Sequence, residues 1–131
     1  MYSVIELLYK FKQYQPFSRG QIFKNLIPFF NSGQFKVFYE KEKAIGFVSW
    51  AFLDDEGEDI YRNQAKIPNY NCGDNAWVIH LVSLRNAKPE MDWIKKYFSK
   101  ELGGKKKVKY FRAKNNFIVS EKYQLTKEFY K

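Results

Sequence analysis

Residues 35–53 read FKVFYEKEKAIGFVSWAFL. Two strand-forming runs, Phe35–Glu40 and Ala44–Leu53, flank a short charged turn at residues 41–43, and this pattern predicts a β-hairpin. Further along the chain, Ala76–Leu84 is apolar enough to be a strand inside a sheet. We expect these three strands to form the centre of the fold.

Two helices are expected before this hairpin. Residues 3–12 carry apolar side chains at helical spacing, and the Gln-Pro pair at 15–16 ends that helix because the residue before proline avoids the helical conformation. Ser18 and Gln21 stand in the relation of a capping box and start a second helix. Pro28 is expected to kink or shorten this second helix.

The rest of the chain completes an α+β pattern. The polar residues 54–75 are interpreted mainly as a loop, with a short helix or strand at Ile60–Lys66. Pro89 opens a third helix, which the glycine pair at 103–104 ends. The last elements are expected to be strands at Lys105–Ala113 and Phe117–Ser120, then a strand or helix at Glu121–Lys131. This order predicts a single α+β domain over residues 1–131, with helices on the faces of a sheet.

The chain is strongly basic and rich in aromatic residues. It has 23 Lys and Arg against 14 Asp and Glu, a net charge of +9, and 20% of its residues are Phe, Trp or Tyr. The aromatic content argues against disorder. The charge indicates an acidic partner, which is nucleic acid, a membrane surface, an acidic carrier protein or an anionic substrate. A glycine-aromatic RNA signature and a helix-turn-helix pattern are both missing, so nucleic acid is not the expected partner.

The compartment is inferred from what a secreted or membrane protein needs. Cys72 is the single cysteine, so the chain has no internal disulfide. Glu6 and Lys10 interrupt the apolar N-terminal stretch, which a signal peptide would keep unbroken. No segment reaches the roughly 20 apolar residues of a membrane helix. The sequence therefore predicts a cytoplasmic protein with no transmembrane segment.

Three stretches carry a family pattern. They read AIGFVSWA at residues 44–51, CGDNAWVI at 72–79 and WIKKYF at 93–98. These stretches resemble the RTX toxin-activating lysine-acyltransferases, the hemolysin-activating type of acyltransferase. Their order and spacing also fit that family, and the similarity covers roughly residues 15–114.

The resemblance implies a fold and an activity. Members of that family have a GNAT-like mixed sheet, take an acyl group from acyl carrier protein and transfer it to lysine side chains of a toxin precursor before export. In one similar branch, a small acyltransferase-like subunit works with a partner protein to link a siderophore conjugate to a microcin precursor. The resemblance therefore implies a modifier of a toxin or microcin precursor that holds no bound cofactor and takes its group from acyl carrier protein or a siderophore conjugate.

The family's catalytic pair is replaced in this sequence. The family uses two catalytic residues. One is a histidine after the first helix, and the other is an aspartate in the strand that follows the tryptophan of the second stretch, which is Trp77 here. Ser18 stands at the histidine position, and His80, the one histidine of the chain, stands at the aspartate position. His80 is either a general base, since imidazole titrates near neutral pH, or a hydrogen-bonded core residue. Ser18 is either a helix cap or a hydroxyl that relays a proton or binds the acyl carbonyl.

Further residues are candidates for substrate binding. They are Ser49, Trp50, Asp74, Trp77, Lys105, Lys106 and Lys107. Ser49 and Trp50 are neighbours on a strand and therefore point to opposite faces, so Trp50 either fills the core or lines a substrate pocket. Asp74 either closes an Asx turn or orients a group in the cleft. The three lysines are either solvated or dock an anionic carrier or substrate.

Two other features are interpreted as structural. The acidic run at residues 54–59 lacks the spacing of a calcium loop and is expected to be a solvated loop, so no metal site is predicted. Cys72 has no identifiable histidine or helix N-terminus beside it and is not expected to be a nucleophile. Two functions lead: an acyltransferase with an altered site, and a non-catalytic subunit or scaffold of a peptide-modification complex. A third, a basic nucleic-acid-binding domain, ranks behind them.

Overall fold

The structure is a computed structural model that describes residues 1–64, 66–67, 69–102, 107–114 and 117–125. The helices and strands are α1 (Tyr2–Leu8), α2 (Arg19–Ser32), β1 (Phe35–Glu40), β2 (Lys43–Leu53), α3 (Asp55–Gln64), β3 (Asn75–Ser83), α4 (Lys88–Leu102), β4 (Lys107–Lys114) and β5 (Phe117–Leu125). A short 3-10 turn at Lys12–Tyr14 lies between α1 and α2.

The strands form one mixed sheet in the order β1-β2-β3-β4-β5. Neighbouring strands are antiparallel except for β3 and β4, which run parallel because α4 connects them as a crossover. This parallel pairing joins Ala76 to Val108 and Trp77 to Lys109. In the described part of the chain, β3 continues beyond Trp77 to Ser83 in register with β2 alone.

Helices cover both faces of the sheet, as the sequence predicts. On one face, Leu8 of α1 and Leu26 of α2 join Phe47 of β2 in one apolar cluster. On the other face, Phe98 of α4 packs with Trp50 of β2. The fold is therefore α+β, with a GNAT-like mixed sheet.

Helix α2 begins at the predicted capping box. The Oγ of Ser18 accepts a hydrogen bond from the backbone N–H of Gln21 at 3.1 Å, and Oε1 of Gln21 accepts one from the N–H of Ser18 at 2.7 Å, which completes the capping box. Gly33 ends the helix with a φ of 71°, in the left-handed region that favours glycine. The helix continues past Pro28 to Ser32, so the predicted early end does not occur.

Helix α1 is shorter than the sequence predicts. It ends at Leu8, and the chain then becomes extended at Phe11, with φ −106° and ψ 133°, before the 3-10 turn. That turn brings Tyr14 over the sheet, where its ring lies 6.1 Å from the ring of His80, centroid to centroid.

The segment after β2 is the helix Asp55–Gln64, so the prediction of a loop is wrong over residues 55–59. Residues 60–64 are helical, which is one of the two forms predicted for Ile60–Lys66. The Oδ1 of Asp54 accepts a hydrogen bond from the N–H of Gly57 at 2.6 Å and so caps the N-terminus of α3. Acidic side chains at residues 55, 56 and 58 occupy the first turn, where the helix dipole favours negative charge. Glu58 is buried, so the acidic run is not a solvated loop.

The C-terminal strands also differ from the predicted bounds. β4 begins at Lys107, and β5 extends to Leu125, well beyond the predicted end at Ser120. The candidates Lys105 and Lys106 lie outside the described residues. None of the helices in the described ranges is long and apolar enough to cross a membrane.

Candidate active site

A β-bulge turns His80 toward the face of the sheet that α2 and α3 cover. Ser49 of β2 lies opposite His80, whereas the next residue, Trp50, lies opposite Val78, so Ile79 is an extra residue in β3. Simple alternation would send His80 to the same face as Val78, beneath α4. Because of the bulge, Ile79 and His80 both line one cleft on the α2–α3 face.

The imidazole of His80 is held by a buried hydroxyl and surrounded by rings. Its Nδ1 lies 2.7 Å from the Oγ of Ser49, and Ser49 is fully buried. The rings of Phe29 and Phe47 lie 5.5 and 5.7 Å from the imidazole, centroid to centroid. Burial lowers the pKa of His80 to about 4, because desolvation penalises the charged imidazolium. His80 is therefore neutral at pH 7.

The hydrogen bond to Ser49 determines what the other ring nitrogen of His80 does. A neutral imidazole carries one N–H and one lone pair. If Nδ1 donates its hydrogen to Ser49, the lone pair is on Nε2, which then accepts a proton; the reverse tautomer makes Nε2 a donor. Ser49 is enclosed by protein, so its hydroxyl orients the ring and is not itself positioned to attack a substrate.

The cleft beside His80 has a volume of about 570 Å³. Its lining residues come from α2, α3, β3 and the segment between α3 and β3, and they are Asn25, Phe29, Ile60, Tyr61, Gln64, Lys66, Ile67, Tyr70, Ile79 and His80. Lys66 is the one charged residue among those described as lining the cleft. Burial raises the pKa of Tyr61 and of Tyr70, so both phenols keep their protons near neutral pH. The cleft therefore combines neutral polar groups, aromatic rings and one cation.

A second, smaller cavity of about 50 Å³ lies on the other side of His80. It is lined by Leu8, Tyr14, Phe17, Ile22, Asn25, Leu26 and His80. Asn25 and His80 are the two residues that the linings of the cleft and the cavity share. His80 therefore lines both a large cleft with polar and apolar walls and a small, mostly apolar cavity.

A buried carboxylate anchors α3, which forms one wall of the cleft. The Oε2 of Glu58 accepts hydrogen bonds from Nε1 of Trp77 and from Nζ of Lys109, each at 2.7 Å. Nearby, Nη2 of Arg62 lies 3.8 Å from Oε1 of Glu58. These contacts tie α3 to β3 and β4 and so fix the position of Tyr61, whose ring packs edge-on against Trp77 at 5.3 Å.

Other predicted site residues lie apart from the cleft lining. Ser18 is an exposed helix cap next to Phe17, which lines the small cavity. Trp50 lies on the α4 face, with its ring 4.6 Å from the ring of Tyr97, so Ser49 and Trp50 do point to opposite faces. The structure thus brings Ser49 to His80 but places Trp50 on the other side of the sheet.

The remaining candidates have support or surface positions. Trp77 is fully buried and holds Glu58. Asp74 is exposed just before β3, and Lys107 is exposed at the first residue of β4. Among the described residues no three His, Cys, Asp or Glu side chains are grouped so that they would hold a metal ion.

Several cleft residues were not singled out from the sequence. They are Asn25, Tyr61, Lys66 and Tyr70, together with Tyr14 of the small cavity. One signal was available for Tyr61: a helix capped by Asp54 places residues 58 and 61 on one face, since they are three positions apart. The other residues come from segments whose spatial neighbours no local pattern specifies.

Two comparisons relate the chain to known proteins. Residues 2–122 match the RTX toxin acyltransferase family. Over 65 residues the chain is 32% identical to the RTX-II toxin-activating lysine-acyltransferase ApxIIC of Actinobacillus pleuropneumoniae, an alignment that includes 47% of this chain and 41% of that relative. The chain spans less than half the length of this relative. Because the family match covers most of its residues, the chain belongs to the RTX toxin acyltransferase family.

Proposed function

We propose that this member of the RTX toxin acyltransferase family transfers an acyl or siderophore group to a secreted bacterial toxin or antibacterial peptide, in the cytoplasm and before export. The observation that carries the proposal is the position of His80. A bulge turns its imidazole into the cleft, and a buried hydroxyl fixes the ring at 2.7 Å. Bulges next to active sites commonly re-aim a side chain in this way.

In the proposed reaction His80 is the general base. A nucleophilic amine or hydroxyl of the acceptor attacks the carbonyl carbon of the donor ester or thioester, and a C–N or C–O bond forms. Nε2 of His80 takes the proton that the nucleophile loses. The bond to the donor's leaving oxygen or sulfur then breaks, and the proton passes from His80 to that leaving group, so the imidazole returns to its neutral state.

The low pKa of His80 constrains this chemistry. At about 4 it ensures that the imidazole is unprotonated at pH 7, but it also makes the free imidazolium costly. None of the residues described as lining the cleft or the small cavity is Asp or Glu. The negative charge that develops on the attacked carbonyl oxygen is therefore the group that would stabilise the imidazolium during transfer.

Ser18 has a secondary part in the proposal. Its Oγ already accepts a hydrogen bond from Gln21, and its own O–H remains able to donate to a substrate oxygen. The segment that leads into Ser18 lines the small cavity through Tyr14 and Phe17. In the proposal Ser18 would bind an acyl carbonyl beside the small cavity, without acting as a base.

The net charge of +9 supports an acidic or anionic donor, either acyl carrier protein or a siderophore conjugate. Exposed Lys107, with Lys105 and Lys106, would contribute to its docking. We assign Asp74 to the same outer surface. Buried Trp50 and Trp77 would support the binding surfaces from within the core.

Co-expression with a candidate precursor encoded beside this gene tests the proposal. We expect intact-mass measurement to show an added acyl or siderophore group with the wild-type protein and none with His80→Ala. Phe23→Ala is the matched control, because Phe23 is an exposed aromatic residue of α2 that lines neither the cleft nor the small cavity. Loss of the group in the control as well, or its retention in His80→Ala, contradicts the catalytic assignment.

A non-catalytic subunit is the second candidate. What favours it is the exchange that the family resemblance implies at the two catalytic positions: Ser18 caps a helix, and His80 has a low pKa. In that case the precursor would be modified only when the chain is present, and the His80→Ala variant would support modification as well as the wild type does.

A further inference from the structure

We infer that the small cavity behind His80, lined by the seven residues named above, is a subsite for a short, unbranched acyl segment next to the reacting carbonyl. This inference deepens the proposed function and rests on it for its biological meaning. The binding itself is testable without any transfer reaction.

The position of the cavity is the first argument. It meets the large cleft at His80 and Asn25. A transfer between two substrates needs both of them at the same base, with the donor and the acceptor arriving from different directions. Two cavities that meet at one imidazole provide this arrangement. The large cleft, which also contains Gln64 and Lys66, admits the acceptor, and the small cavity takes the chain of the group in transfer.

The chemistry of the cavity wall is the second argument. Apart from Asn25 and His80, where it meets the cleft, the wall is aliphatic or aromatic, and Tyr14 is the one further residue with a polar group. No charged residue is among those described as lining it. Protein interiors leave few voids larger than a water molecule, and apolar cavities of this kind stay dry or bind apolar ligands. An apolar chain packs favourably against such a wall. A sugar, a phosphate or a charged peptide would lose its hydrogen bonds to water there and find few in return.

The size of the cavity sets the length of the segment. A cavity needs roughly 10–15 Å³ to hold one water-sized group. The observed volume is about 50 Å³. The cavity therefore accommodates about four methylene-sized groups. The remaining carbons of a longer chain have to lie outside it.

Phe17 closes the outer side of the cavity. This residue is 45% exposed and still lines the cavity. Its backbone is fixed at both polar groups, because the N–H donates to the carbonyl of Tyr14 at 3.1 Å and the carbonyl accepts from the hydroxyl of Tyr9. A change of the Phe17 side chain thus alters the wall of the cavity while the backbone contacts remain. Phe17 is the residue that limits chain length.

The single histidine of the chain makes the test direct. The imidazole signals of His80 can be followed by NMR during titration with straight-chain primary alcohols of two to eight carbons, which are unreactive. We expect these signals to shift. The apparent affinity should rise about three- to fourfold for each added carbon, as burial of one methylene group predicts, and should level off after about four carbons.

Two variants identify the wall. Phe17→Ala opens the outer side, so we expect the affinity to keep rising over several further carbons. Phe23→Ala removes an aromatic side chain of similar exposure, 43%, from the same region without touching the cavity, and should keep the wild-type profile. Thermal melting of both variants checks that they fold.

The inference is wrong if no alcohol shifts the His80 signals, if affinity does not depend on chain length, or if Phe17→Ala keeps the wild-type profile. These outcomes are separate from those of the precursor assay. A normal length profile together with unchanged modification by His80→Ala would retain the subsite and reject the catalytic base. If His80→Ala loses modification but alcohol affinity does not depend on chain length, the catalytic base would be retained and the subsite rejected.

Discussion

At the scale of single residues, His80 is the feature on which the chemistry depends. Its pKa of about 4 in the folded protein lies below the ordinary value of about 6.5. Between these two pH values the unfolded chain binds a proton that the folded chain does not. The free energy of unfolding therefore falls as the pH drops from about 6.5 toward 4. At and above neutral pH His80 is neutral in both states, so this loss of stability is absent there.

We predict that this pH dependence resides in His80. The wild type should lose up to about 3 kcal/mol of stability through this group between pH 7 and pH 4. Urea unfolding of the wild type and of His80→Asn at both pH values measures it, because acidic residues contribute equally to both proteins. The difference in unfolding free energy between the two proteins should shift in favour of the variant at low pH. A difference that does not change with pH would show that His80 titrates normally.

At the scale of elements, the contacts of Glu58 hold α3 against the sheet, and α3 forms one wall of the cleft. Glu58 receives the Trp77 N–H and the Lys109 ammonium at 2.7 Å each. Glu58→Gln can keep a hydrogen bond to Trp77 but leaves Lys109, whose side chain is only 20% exposed, without its charged partner. We expect a loss of about 2 kcal/mol, below the full cost of breaking a buried ion pair because Lys109 still reaches water.

Asp59→Asn is the matched control for this prediction. Asp59 lies in the same helix and pairs with Arg62 at 3.3 Å, but its side chain is 73% exposed. Such surface pairs contribute little, so the control should change stability by less than about 0.5 kcal/mol. Urea unfolding measures both variants, and amide hydrogen exchange of α3 should increase in Glu58→Gln alone. Equal stability of the two variants would remove Glu58 from its anchoring role.

The same scale shows what a sequence can and cannot predict here. The hairpin and the capping box of α2 were predictable, because residue choice in a turn or a cap is local. The first part of helix α3 was missed because its buried residues are Gly57 and Glu58, which do not form an apolar stripe. The bulge at Ile79 has no local signature: it exists only in the register between β2 and β3. The face of the sheet to which His80 points, and hence the position of the site, could therefore not be predicted from the sequence alone.

At the scale of the whole molecule, the charge of +9 should raise the rate at which the protein associates with an acidic donor. We predict that the modification rate with an acidic carrier protein as donor falls several-fold between 50 and 300 mM salt, as the Debye length shortens from about 14 to about 6 Å. A small neutral thioester with the same acyl group is the control donor, and its rate should change little. Equal salt dependence for the two donors would remove the electrostatic role of the basic surface.

The central claim, that His80 is the base, is tested most directly by chemical rescue. His80→Gly removes the imidazole and leaves space between the cleft and the small cavity, which free imidazole can enter. We predict that precursor modification by this variant is about 10²- to 10⁴-fold slower than by the wild type, and that added imidazole restores at least a tenth of the lost rate in a saturable manner. A folded His80→Gly variant that modifies the precursor at the wild-type rate, or that imidazole does not rescue, would contradict the account.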